Sequence, residues 1–472
     1  MAETSTLHSI RRSGLAAKVA LAAAAIGVIY GYDTGVVAGA LLFIPKDMHL
    51  STTETSSIAT TLAIGMIVGA LLGGRLADVA GRRRTMIAVG IGYVVFAVMS
   101  ALAVGIVFLD IARFLVGVTV GVTLVTAPVF IAESSRVSTR GAMLVSYQVA
   151  TVAGIMVSYL VDYGLAGFGA WRWMFGLSAF PAAAITVLLF RLPDTPRWYV
   201  MQGRQEQAAR TIEQIDPDSD VNAELTDIRN ALATERGGSI REMIRPPYRR
   251  ATLFVIGLGF LIQITGINAI IYFTPLIFQN MGLTGNTALL LIPALVQFAA
   301  LIATIVAVRI VDRVGRRRVL LIGISVMLVA NALMIAVFAA GLSGGLSSLA
   351  FIGVLLFTVG FDFGFGALVW VYASESFPAS LRAKGSSAML SADLLGNLII
   401  AQFFLSVLGR IGGVWTFSIF LALAVVSFGY VAAFAPETKG RPLEAIRRYW
   451  ENGGRWPAED REPSRRPVTS GS

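Results

Sequence analysis

Apolar residues in this chain come in long unbroken runs, not in alternation and not on one helical face. A bilayer-crossing helix needs about 20 apolar residues, whereas a spanning strand alternates apolar and polar positions. The runs therefore predict helices, at about 16–42, 57–77, 85–106, 109–131, 142–164 and 172–191, then 250–279, 287–311, 318–340, 346–374, 383–408 and 413–435. A polar segment, 194–249, lies between the sixth and seventh. Its stretches 202–215 and 222–236 read as surface helices broken by Asp216-Pro217-Asp218. It is too short and polar for a separate catalytic domain. The expectation is an all-α membrane protein: a six-helix half at 1–193, a linker of cytoplasmic helices at 194–249, a second half at 250–435 and a polar tail at 436–472.

Two patterns recur. GGRLADVAGRRR follows the second run and VRIVDRVGRRR follows the eighth, so Asp78, Arg82 and Arg83 echo in Asp312, Arg316 and Arg317 at an offset of 234. Glu133 precedes Arg140 by seven residues, as Glu375 precedes Arg382, at an offset of 242. Six spans repeated in the same orientation give two parallel halves, the arrangement of a carrier that rocks about a central site.

Composition narrows the class. The 472 residues are 56% hydrophobic and 14% charged, against about 25% charged in a soluble domain. There is no cysteine, which excludes disulfides and cysteine-based metal or redox centres. His8 and His49, the two histidines, sit outside the apolar runs, so proton handling in the membrane falls to carboxylates. No nucleotide loop, Ser–His pair or metal-ligand cluster is present; no enzyme activity, metal or cofactor is implied. No cleavable signal peptide is read, because the first run follows Arg11, Arg12 and Lys18 and leads into more spans. The net charge of +10 resides in alternate loops, at Arg82–Arg84, Arg136, Arg140, 197–250, 313–318, Arg382, Lys384 and the tail. The positive-inside rule then places both termini in the cytoplasm of a plasma (inner) membrane protein. The charge is a topology signal with some attraction to anionic lipid, not a nucleic-acid footprint.

At this point the chain resembles the sugar porter family of the major facilitator superfamily, over about 25–445, and the bacterial sugar–proton symporters in particular. The residues that carry the resemblance are GYDTG at 31–35, GGRLADVAGRR at 73–83, RFLVG at 113–117, Pro128 with Glu133, PDTPRW at 193–198, QITGINAIIYF at 263–273 and PETKGRPLE at 436–444. It implies a twelve-helix facilitator fold, a small-molecule sugar or polyol as substrate, a proton as co-substrate and a monomeric carrier.

A sugar site needs convergent amides and an aromatic face, and polar residues in spans are costly unless they face a cavity or a partner. Gln148, Gln263, Asn268 and Asn397 are such amides, and Trp370 could supply the face. Gly266 and Pro275 mark the Gln263–Asn268 helix as one that deforms. The resemblance places Gln148, Gln263, Asn268 and Trp370 on sugar-contacting positions; amide bonding between helices is the competing reading. Several positions depart from the family: Ile262 for a second glutamine, Ala300 for an asparagine, Ala367 for a proline, and Asp393-Leu394 for an amide–Trp pair. Asp393 favours a neutral sugar or polyol, with an amino sugar less favoured, unless it serves a pairing role away from substrate.

Energy coupling centres on Asp33, well inside the first span, with Arg113 as its expected partner. Counting about 1.5 Å per residue from the expected run ends puts them roughly 13 Å and 6 Å deep. A change that separates the pair would let Asp33 take up and release a proton; a permanent structural ion pair is the alternative. Asp78, Arg82, Arg83, Glu133, Arg140, Asp312, Arg316, Arg317, Glu375 and Arg382 can form inter-helix salt bridges, and the resemblance implies that these close an inner gate. Asp362 belongs either to that network or to a second proton site. Competing functions are a proton-independent facilitator, which in this family lacks the acid at Asp33, a transport-inactive sugar sensor, for which the tail is short, and a drug or cation exporter, whose Gly-Pro motif is missing from span five.

Overall fold

The computed structural model describes residues 14–136, 139–235, 239–341 and 346–457. His8, Arg11, Arg12 and the tail from 458 lie outside the described residues. Eleven helices among those described are long and apolar enough to cross a membrane. The last of them, Ala379–Phe434, has 56 residues and a non-helical Gly412 inside it. At about 1.5 Å per residue it is far longer than one bilayer, so it holds two crossings and the total is twelve.

The spans in order are Gly14–Ala40, Thr52–Ala80, Arg82–Ala101, Ile106–Glu133, Arg140–Ala166, and a sixth made of Trp171–Leu177 and Ala179–Leu189. Span seven is Arg249–Ile264 followed by Ile267–Asn280, broken at Gly266, whose φ of 105° is left-handed. Glycine is needed there twice over: for that φ, and because a Cβ would stand 2.8 Å from the Phe420 ring. Span eight opens with a π-helical turn, Thr287–Leu291, before Ile292–Val314, and Arg316–Ala340 is span nine. Span ten carries a π turn, Asp362–Gly366, between Leu346–Phe361 and Ala367–Glu375. The polar segment forms Pro196–Met201, Gln205–Ile215, Val221–Glu235 and Ile240–Met243.

Small residues let the spans approach closely, as they must where lipid supplies no hydrophobic drive between helices. Span one bears Gly27, Gly31, Gly35 and Gly39, one per turn. A Cβ on each would strike span five, at Tyr147 O (2.4 Å), Thr151 O (1.9 Å), Ser158 Oγ (2.0 Å) and Asp162 Cγ (2.3 Å). Gly65 and Gly69 of span two mesh with Gly117 and Gly121 of span four in the same way, and Gly323 of span nine with Gly360 and Gly364 of span ten.

The halves meet at the Arg-poor end. Tyr32, Val36, Val37 and Leu41 share one apolar cluster with Ile267, Ile270, Ile271 and Phe273, and the Tyr159 hydroxyl donates to Ile271 O across the interface at 2.6 Å. At the Arg-rich end of the first half, Val19, Ile26, Met86, Ile131, Met143 and Leu192 form a cluster with no second-half member among the described residues.

Candidate functional site

The glycine stripe determines where Asp33 points. Residues two apart on a helix face about 200° apart, so with Gly31 and Gly35 against span five, Asp33 faces spans three and four. There Arg113 Nη1 donates to Asp33 Oδ1 at 2.9 Å and Nη2 to Oδ2 at 3.4 Å. The Tyr93 hydroxyl donates to Oδ1 at 3.3 Å. Both members of the pair are buried, Arg113 at 1% exposure and Asp33 at 3%. The Phe175 ring backs the guanidinium, 4.9 Å from Cζ. The expected difference in depth between the two is not found. Span one ends at Ala40 and span four begins at Ile106, so each residue stands seven positions, about 10 Å, from the Arg-poor end. Equal depth is what allows two contacts from one guanidinium.

The predicted amides gather around the break in span seven. Asn268 Nδ2 donates to Asn397 Oδ1 of span eleven at 2.7 Å, so part of their capacity goes to each other. Tyr272 stands beside Asn397. Gln263, on the other side of the break, stands beside Asp393, and its Oε1 is buried without a partner. Gln148 is half-buried on span five; beside it the Tyr147 hydroxyl is buried and unpartnered. Tyr30 lies within electrostatic reach of Tyr147, Tyr272, Asp393 and Asp33, which ties the amide cluster to the ion pair. Trp370 sits just past the π turn of span ten and is 42% exposed. Tyr30, Tyr93, Tyr147 and Tyr272 were not singled out from sequence, because a tyrosine in an apolar run reads as core. Buried Gln297 of span eight was also passed over.

At the Arg-rich end the echo is structural. Arg82 Nη2 pairs with Asp78 at 3.0 Å and its Nε with Glu133 at 3.1 Å; Arg316 pairs with Asp312 at 2.9 Å. Arg83 departs from the expected ion pairing: Nε and Nη2 donate to Leu189 O and Phe190 O, and Arg317 likewise donates to Ala432 O. Both side chains bind carbonyls in the last turn of a helix, where backbone partners run short. No ion pair joins Arg140, Glu375 or Arg382 among the described residues, and none of the pairs that form there joins one half to the other. Two further acids complete the pattern. Asp194 Oδ1 accepts from the backbone N–H of Arg82 and Arg83, and Glu437 Oε1 from that of Arg316. Each caps a helix whose own N-cap, Gly81 or Gly315, has no side chain to offer. The readable signal was Pro-Asp-Thr at 193–195 recurring as Pro-Glu-Thr at 436–438.

Two six-span halves around a central polar cluster, with a buried ion pair beside it, define a polytopic membrane carrier. The family model described as "Sugar (and other) transporter" matches residues 19–450, and the chain belongs to that family, the sugar porters of the major facilitator superfamily. It is 35% identical over 428 residues to the glucose transporter GlcP of Staphylococcus epidermidis, covering 89% of this chain and 94% of that one. It is 32% identical over 432 residues to the galactose-proton symporter of Escherichia coli strain K12, covering 91% and 93%. Among solved structures it resembles the proton:xylose symporter XylE bound to 6-bromo-6-deoxy-D-glucose, with a TM-score of 0.77, 25% identity and coverage of 92% and 98%.

Proposed function

We propose that the protein carries a neutral monosaccharide or polyol together with a proton, by alternating access, with Asp33 and Arg113 as the coupling pair. The observation that carries this reading is the Asp33–Arg113 contact. It is one carboxylate and one guanidinium, both buried in spans and touching through two nitrogens. A proton on Asp33 neutralises the carboxylate and frees Arg113 from it, so the cost of separating the two depends on protonation. The names of the galactose and xylose relatives support the proton as co-substrate. The Arg-rich end faces the cytoplasm of a plasma (inner) membrane, with both termini on that side, and the carrier acts as a monomer. Its outer end is then the one at which the halves meet.

Substrate binds at the break in span seven. Gln263 Oε1 and the Tyr147 hydroxyl are buried groups with no partner, and a hydroxyl-rich solute satisfies both while Gln148, Asn268 and Asn397 take further hydroxyls. Trp370 covers the ring. Asp393 accepts two hydroxyls or an ammonium group and repels anions, which favours a neutral sugar or polyol. Asp78, Arg82, Glu133 and Arg140, with Asp312, Arg316, Glu375 and Arg382, form the inner gate, while Arg83 and Arg317 hold helix ends. Weak singly, such pairs bias a two-state equilibrium together.

The test is uptake of a panel of labelled sugars and polyols by proteoliposomes, with and without an inward proton gradient. Wild type accumulates its substrate only with the gradient and alkalinises the outer medium as sugar enters. Asp33→Asn equilibrates sugar without accumulation and without proton uptake. Proton uptake unchanged in Asp33→Asn overturns the coupling assignment. A sugar acid as best substrate, undiminished in Asp393→Asn, overturns the role given to Asp393.

A further inference from the structure

Span five carries a second acid that neither the ion pair nor the amide cluster uses. Asp162 stands four residues from the outer end of its helix at Ala166 and is 0% exposed. Neither carboxylate oxygen has a hydrogen-bond partner. The carboxyl rests on Gly39, the outermost member of the glycine stripe on span one.

The groups around it are all committed elsewhere. From span one, the Tyr32 hydroxyl donates to Met174 O; from span five itself, that of Tyr159 donates to Ile271 O of span seven. Arg113 is held by Asp33. In the segment after span one, Asp47 is bound by Trp171 and Arg172 and Lys46 is exposed. The outer turns of span eight, Thr287–Leu291, also pack on span five and bring no titratable side chain. Among the described residues no cation reaches Asp162. An ionised carboxylate in that position costs far more than a neutral carboxyl lacking the same bonds. The position is one turn from Tyr159, whose bond to span seven closes the halves at this end.

We propose that Asp162 is a second proton-binding carboxylate: it holds a proton while the halves are closed at the outer end and yields it to the outer solution when they part and water enters. The proposal rests on the alternating-access reading above but not on the role of Asp33. The proton comes from the outer solution and returns to it, so the number carried inward per sugar is unchanged. What it confers is an outer seal that tightens as the outside becomes acidic.

The chain has no cysteine, so spin labels can be placed at Lys46→Cys and Thr284→Cys, exposed positions after spans one and seven, with no others present. Pulsed electron resonance in nanodiscs then reads the distance between the outer ends against pH. In wild type and in Asp33→Asn alike, the ratio of long to short distances rises with pH, by up to about tenfold per unit for one linked proton. Asp162→Asn, neutral at every pH, stays short throughout. If that variant does not fold, Asp162→Ala serves the same comparison. A pH response in the Asp162 variant equal to that of its parent overturns the proposal, as does a wild-type distance insensitive to pH. A response lost in Asp33→Asn and kept in Asp162→Asn overturns it while leaving the coupling role of Asp33 standing.

Discussion

Alanine at Gly31 would drive span one off span five. Its Cβ would stand 1.9 Å from Thr151 O, 2.8 Å from Thr151 C and 2.9 Å from Ile155 N. An ordinary contact begins near 3.5 Å, so one helix must retreat by about 1.5 Å, and backbone atoms cannot rotate away. Overpacking costs about 1–3 kcal/mol where side chains can shift, and this site lies at or beyond the upper end. The better helix propensity of alanine returns about 1 kcal/mol, leaving a net loss of about 2 kcal/mol or more. Gly429→Ala, with nothing within 4 Å of its Cβ, keeps the propensity gain alone. Gly35→Ala is intermediate, because its closest obstacle is Ser158 Oγ at 2.0 Å, and Ser158→Ala relieves it in part while leaving Gly31→Ala unrelieved. Melting of the purified protein, followed by tryptophan fluorescence, gives the order Gly31→Ala lowest, then Gly35→Ala, then Gly429→Ala. A Gly31→Ala protein melting with Gly429→Ala would refute the close-packed stripe.

Three more outcomes are expected. Removing one member of the buried pair, as in Arg113→Ala, destabilises by about 3–5 kcal/mol, whereas Asp33→Asn with Arg113→Gln loses much less than the two single changes added together, as a double-mutant melting cycle reads. Asp194→Ala removes the cap from span three and lowers stability by about 1–2 kcal/mol; Glu437→Ala does the same for span nine, and Asp194→Asn costs less because it keeps an acceptor. The Trp171 indole N–H and the Arg172 guanidinium hold Asp47 below the usual carboxylate range. A carboxyl lowered on folding stabilises above its unfolded value, and that stability is lost as pH falls through the lowered one. Asp47→Asn therefore flattens the decline in melting temperature below about pH 4.

The spans were legible because lipid demands uninterrupted apolar helices, and the two arginine echoes because the same helix start is built twice. Asp33 and Arg113 were legible as a pair because a charge in mid-span needs a partner. Their equal depth was not, since it depends on helix ends that hydropathy places loosely. Asp162 went unread because an acid near the end of an apolar run looks like a flank in contact with water. The docking of Gly39 covers it, and the four-residue glycine spacing of span one was there to be seen. Arg83 and Arg317 look like gate charges in sequence; in the fold they serve backbone carbonyls of spans six and twelve, contacts between residues more than a hundred positions apart. Asp194 and Glu437 sit in strings used only for family resemblance, and their capping role needs the same long-range fold to be visible.

The break at Gly266 joins these features into one mechanism. Gln263 precedes it and Asn268 follows it, so a solute bound to both spans a hinge, and Asn268 ties the outer segment to span eleven through Asn397. The outer segment, Ile267–Asn280, is also the part that Tyr159 grips from the first half. Tyr159 lies on the same helix as Gln148, so in the proposed cycle a sugar held between Gln148 and Asn268 draws together the two elements whose contact seals the outer end. In the proposed cycle, Asp33 and Asp162 act on opposite faces of that movement: Asp33 would set the cost of rearranging spans one and four, and Asp162 the cost of wetting the junction of spans one and five. In the proposed cycle, one step thus depends on sugar and proton together and the other on external acidity.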